Sequence, residues 1–133
     1  IINLESQIEK DYNTVTADMD LKQLVDVVSK SHRNIFPVID GQRHFMGVVT
    51  LDSIRKYMFR PELYHKYTVA AFMKDSPALL STNDTLKIAT EKFDETQAWN
   101  LPVVDADGRF LGFVSRSGLF NSYREVLTHF TAE

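Results

Sequence analysis

The chain repeats itself. Displaced by 65 residues, it matches itself without a gap from Leu21 on Leu86 to Ile54 on Leu119. Lys22 then falls on Lys87, Pro37 on Pro102, Val38 on Val103 and Asp40 on Asp105. Phe45 falls on Phe110, Gly47 on Gly112, Val49 on Val114 and Thr50 on Ser115. A single shared proline or glycine could arise by chance. A Pro-Val-(Ile/Val)-Asp run, followed seven residues later by a glycine, twice at one offset, does not. Two copies of one unit therefore fill almost all of the 133 residues, and the fold must be two like bodies.

Each copy reads alike. Leu21, Leu24, Val25 and Val28 share one helical face, and Asp20 with Gln23 forms the pattern of a capping box. Leu86, Ala89 and Phe93 keep the same phase in the second copy. Short apolar strands follow, Ile35–Ile39 and Leu101–Val104, each ended by a polar turn at Asp40 or Asp105. Return strands at Phe45–Val49 and Phe110–Val114 close antiparallel hairpins. Thr50 and Ser115 are placed to cap a second helix, with Leu51, Ile54 and Met58 as its apolar face in the first copy. In the second copy that face is Leu119, Tyr123, Val126, Leu127 and Phe130. The expected class is α/β (α+β), two pseudo-symmetric α-β-β-α units, each a small sheet packed by helices. The expected boundaries are 1–67, with an N-terminal linker, and 68–133.

Composition narrows the function. Fifteen basic and 18 acidic residues give a net charge of −3, with no like-charge block, so no nucleic-acid partner is expected. No apolar run approaches the roughly 18 residues of a membrane span. The absence of cysteine removes disulfides, thiolate metal sites and cysteine nucleophiles. His32, His44, His65 and His129 show no ligand spacing, so no metal is expected. Asp105-Ala106-Asp107-Gly108 resembles the start of a calcium loop but lacks its later acidic ligands, and reads as a turn. Around Ser115 the glycine pattern of a nucleophile elbow is missing, and no nucleophile–base set is visible, so no enzyme is expected. A chain opening on Ile1 reads as a segment of a longer protein, with Ile1, Leu4 and Ile8 in its linker.

The doubled motif resembles tandem cystathionine-beta-synthase (CBS) domains, the pair called a Bateman module, over roughly residues 13–127. A finer likeness is to the cytoplasmic C-terminal domain of prokaryotic CLC chloride channels and transporters. It rests on Ser31-His32-Arg33-Asn34-Ile35-Phe36-Pro37-Val38, on Met58-Phe59-Arg60-Pro61-Glu62-Leu63-Tyr64, and on Phe113-Val114-Ser115-Arg116-Ser117 with Tyr123-Arg124-Glu125. The resemblance implies a regulatory domain at the cytoplasmic face of the cell membrane, joined to a transmembrane chloride-transport domain of the same polypeptide. It also implies a homodimer through the second helices, with Tyr57, Met58, Phe120 and Tyr123 exposed. A soluble enzyme's sensor module, or a stand-alone regulator, is the alternative.

Such pairs bind adenosine compounds in clefts between their units, so the implied ligands are AMP, ADP or ATP. Carried over residue by residue, one cleft takes Asn13, Thr14, Arg33, Asn34, Phe36 and Pro37 with Ser115, Arg116 and Ser117. The other takes Leu80, Trp99, Leu101 and Pro102 with Thr50, Asp52 and Ser53. The sequence departs from the family at the aspartate that reads ribose, which is Ser53 in one copy and Gly118 in the other. Losing that acceptor costs on the order of 1–3 kcal/mol, about ten- to a hundredfold in affinity. Two readings stay open: a nucleotide site at Ser115, or clefts packed shut in a module that only assembles.

Overall fold

The structure, a computed structural model, describes residues 3–131. The chain forms two compact units. One runs from Asp11 to Asp75; the other joins the residues up to Lys10 to those from Ser76 onward. The packed units therefore divide elsewhere than the expected 67/68, and the N-terminal stretch, expected as a linker, belongs to the second unit.

In the first unit, helix α1 spans Leu21–Ser29 and buries Leu21, Leu24 and Val28. Its capping box is complete, with Asp20 accepting from the Gln23 amide and the Gln23 side chain accepting from the Asp20 amide. That amide bond, with the His65 ring beside it, holds the Asp20 carboxyl below its ordinary value. Strands β1 (Ile35–Ile39) and β2 (Phe45–Thr50) pair antiparallel, and α2 (Leu51–Ile54) follows at once. The sequence pattern leads to a longer helix reaching Met58. The helix instead ends at Ile54. Hydrogen-bonded turns (the Tyr57 and Met58 amides to the Ile54 carbonyl, the Arg60 amide to that of Tyr57) carry the chain to Pro61, ahead of which Arg60 is out of helical backbone (φ −119°, ψ 85°). Met58 and Tyr57 then pack against their own unit's core.

The second unit repeats this frame. Residues Leu80–Ser81 form β3, Leu86–Thr96 α3, Asn100–Val104 β4, Phe110–Ser115 β5 and Arg116–Thr131 α4. Both hairpins have one register: Ile35 pairs with Thr50 as Asn100 with Ser115, and Val38 with Gly47 as Val103 with Gly112. The bulge falls at the same place in each. Asp40 Oδ1 accepts from the amides of Gln42 and His44, and Asp105 Oδ1 from those of Asp107 and Arg109. The Asp105 loop is thus a turn. Val15 bridges Val38 in parallel as β3 pairs with β4, an addition the hydrophobic pattern does not reveal.

A third segment completes each hairpin. The Lys74 and Val48 backbones exchange two hydrogen bonds of 2.8 and 2.9 Å. Glu9 and Phe113 exchange two of 2.8 and 3.0 Å. Lys74 is 65 residues after Glu9, and Phe113 is 65 after Val48. The segment ahead of the first repeat thus serves the second hairpin, and the one ahead of the second repeat serves the first. Leu4 and Ile8 accordingly lie in or against the second unit's core, while Val69 lies in the first unit's. Ile1, expected beside Leu4, and the Phe130 side chain lie outside what is described.

Close approach makes glycine necessary here. A Cβ on Gly47 would stand 2.7 Å from the Lys74 carbonyl oxygen, and one on Gly112 would collide with that of Glu9. Gly47→Ala and Gly112→Ala are each expected to cost about 1–3 kcal/mol, the usual overpacking penalty. Urea unfolding checks this; midpoints unchanged in both variants would contradict the docking of these segments.

Candidate functional site

The residues implied for ligand binding divide by what their own units do with them. Phe36 is fully buried in the first unit's core and Pro37 is buried beside it, its carbonyl accepting from the Val15 amide at 3.0 Å. Neither side chain is exposed at the surface. Leu80 and Leu101 are likewise fully buried and Pro102 is buried. Four consecutive residues of each strand, Phe36–Ile39 and Leu101–Val104, are buried, so both faces of these strands are covered.

Arg33 has a structural partner set. Its Nε donates to the Asp11 carbonyl at 3.0 Å and Nη1 to the Tyr12 hydroxyl at 3.3 Å. The guanidinium carbon lies 4.3 Å from the centre of the Tyr12 ring. The arginine thereby staples the entering chain to the end of α1. Asn13 is exposed and Thr14 half-buried on that entering chain. Asn34 is exposed, while its carbonyl accepts from the Leu51 amide at 2.8 Å. Thr50 caps α2 through the Ser53 amide (3.2 Å), and Asp52 pairs with Arg55 at 2.8 Å.

The second unit is different. Ser115 caps α4, its Oγ accepting from the Gly118 amide at 3.1 Å. The Arg116 amide donates to the Trp99 carbonyl at 2.8 Å, which fixes the indole-bearing residue beside the start of the helix. Arg116 Nη1 donates to Gln97 Oε1 at 3.1 Å, Nη2 stands 3.9 Å from Asp94 Oδ1, and the guanidinium carbon lies 5.6 Å from the Phe120 ring centre. Gln97 closes α3 in left-handed backbone, φ 56°. These contacts hold the guanidinium in one orientation while leaving a quarter of the side chain (26%) in solvent.

Trp99, Arg116, Ser117, Phe120, Asn121 and Arg124 line one depression of about 390 Å³. The Trp99 residue is 77% exposed, an unusual place for the chain's single tryptophan. Sequence reasoning set Trp99 in one cleft and Arg116 in the other; the strand pairing of Asn100 with Ser115 puts them together. Phe120, Asn121 and Arg124 went unnoticed as site residues. The signal was there: positions one, two, five, six and nine of a helix beginning at Arg116 share a face. The same positions in the first unit carry Asn34, Leu51, Asp52, Arg55, Lys56 and Phe59. Arg55 there is spent on Asp52, and a phenylalanine, 78% exposed, replaces Arg124. One fold thus presents an aromatic plane with two guanidinium groups on one unit and no such set on the other.

The model of the CBS domain matches residues 6–60 and 69–125. The chain belongs to the CBS domain family. Its two CBS copies coincide with the two repeats. An inosine-5'-monophosphate dehydrogenase of Aquifex aeolicus is 28% identical over 102 residues, 77% of this chain but 20% of the enzyme. The chain thus spans only a fifth of that relative. A CBS domain-containing protein of Dictyostelium discoideum is 24% identical over 130 residues, 90% of each chain. Among solved structures, CBSX2 of Arabidopsis thaliana in complex with AMP superposes with a TM-score of 0.71 at 21% identity, covering 95% of this chain and 98% of that one. That likeness is one of fold.

Among the described residues no helix is long and apolar enough to cross a membrane, and no cluster of histidine, aspartate and glutamate is disposed to hold a metal ion.

An Arg116→Leu variant should keep the fold, since the side chain is outside the core, while its Trp99 emission shifts as the neighbouring charge is lost. Emission spectra identical to the parent's would contradict the placement of the two side chains in one depression.

Proposed function

We propose that this CBS pair is a regulatory module that senses an adenine nucleotide at the Trp99–Arg116–Ser117 face, as part of an enzyme or as a stand-alone regulator. The observation that carries this reading is the exposed indole held beside an oriented guanidinium. A purine needs a flat apolar partner, and a stacked base contributes about 1–3 kcal/mol. A phosphate needs a planar cation with fixed donors, which arginine supplies better than lysine. Ser117 adds a hydroxyl beside Arg116. The AMP complex of CBSX2, a protein of like fold, agrees with this ligand class. Regulation, rather than catalysis, is the role: the site offers binding groups and no nucleophile with its base.

The relatives, an inosine-5'-monophosphate dehydrogenase and a CBS domain-containing protein of matching length, support the sensor reading over the chloride-transport one. The segments that resemble CLC proteins also have structural work of their own. Arg33 staples the entering chain, and Leu63 is buried below a Tyr64 hydroxyl bonded to the Met58 carbonyl at 2.9 Å. A gene sequence with ten or more spans upstream would restore membrane attachment and the chloride-transport domain as partner. Homodimerisation is the expected assembly, although Tyr57, Met58 and Phe120 are half-buried on their own units rather than presented as a face.

Titrating AMP into the parent chain should quench or shift the single tryptophan's emission, with Arg116→Leu weakening the response at least tenfold. No response at millimolar AMP would overturn the reading. Gly118 supplies a second check. It does not have positive φ, and an added Cβ would meet the Gln7 side chain at an ordinary 3.8 Å and the Ser115 Oγ at 2.8 Å, a hydroxyl that must give way. Ser53 occupies the matching place beside its Thr50 cap, with its own hydroxyl bonded to the Thr50 carbonyl at 2.8 Å. Gly118→Asp should therefore fold and bind AMP about tenfold more tightly by calorimetry, through a ribose acceptor. Unchanged affinity in a folded variant would show that the ribose does not pass this position.

A further inference from the structure

The proposed site uses Trp99, Arg116 and Ser117 but gives Arg124 no role. This residue lies eight positions beyond Arg116 on α4, about 12 Å along the helix axis, and lines the same depression. It is exposed and makes no ion pair among the described residues. No carboxylate lines the depression. Asp94 stands 3.9 Å from Arg116, beyond good hydrogen-bond distance. Two guanidinium groups therefore share one lining, and among the described residues no carboxylate pairs with the outer one. Asn121 stands between them with a side-chain amide able to donate.

Resting on the proposed site, we propose that Arg124 makes it select the length of the phosphate chain, favouring nucleoside triphosphates over monophosphates. With a base against Trp99 and the first phosphate at Arg116, a monophosphate ends near the helix start. A triphosphate extends by two further anionic groups along the α4 face toward Asn121 and Arg124. The monophosphate's two charges are met largely by Arg116; the triphosphate's additional charges have only the outer arginine to meet them. Exposed pairs contribute modestly, so the expected preference is threefold to tenfold at low ionic strength and shrinks as salt is added. On the first unit the equivalent position is Phe59 and that of Arg116 is Leu51, so the preference belongs to one face of the chain.

The experiment measures affinities of AMP, ADP and ATP by tryptophan emission without divalent cations, for the parent, Arg124→Ala and Arg124→Lys, with thermal unfolding to confirm folding. The expected order in the parent is ATP tighter than ADP tighter than AMP. Arg124→Ala should bring the ATP:AMP affinity ratio to about one, and Arg124→Lys should restore most of it. Inorganic tripolyphosphate should compete with ATP in the parent and less well in Arg124→Ala. Binding of AMP and ATP with equal affinity in the parent, or a ratio unmoved by Arg124→Ala, overturns chain-length selection and leaves the nucleotide site standing. No response to any of the three nucleotides overturns the site and, with it, the selection.

Discussion

Four backbone hydrogen bonds organise this molecule: two between Lys74 and Val48, and two between Glu9 and Phe113. Each pair adds an extended segment to a bare hairpin edge, where unpaired amides and carbonyls would otherwise face solvent. A two-stranded hairpin alone is marginal in water. The added segment covers its edge and brings Val69 into one core and Leu4 into the other. The geometry requires glycine at Gly47 and Gly112, since any side chain would strike the docking backbone. The repeat's shared glycines are explained by this contact, not by a turn.

Because the segments dock on the hairpin of the other repeat, unit boundaries and repeat boundaries differ. The hairpins, the helix start at Asp20 and the buried apolar faces were legible in the sequence, since periodicity and caps are local signals. The docking was not. Glu9 and Lys74 are ordinary charged residues whose role lies in their backbones, and backbone pairing leaves no side-chain signature. The end of α2 at Ile54 was not legible, because the apolar pattern through Met58 argued for more helix. The fold class drawn from the repeat matches the observed architecture and that of solved CBS pairs.

The site teaches a different lesson. Family resemblance nominated residues around the Pro-Val strand, and the structure buries Phe36, Pro37, Leu101 and Pro102. What is left at the surface is decided by the strand ends and the first turns of the following helix. There the two repeats diverge most: Trp99 against Asn34, Arg116 against Leu51, Arg124 against Phe59. Identical register with unlike side chains lets a duplicated unit keep its fold while, under the proposed function, only one copy carries binding chemistry.

The central claim is that ligand chemistry is confined to one repeat. Amide hydrogen exchange with and without saturating AMP tests it most directly. The account predicts added protection at 97–100 and 115–121, with the equivalent 32–35 and 50–56 unchanged. Equal protection of both sets, or none at Trp99 and Arg116, would contradict it.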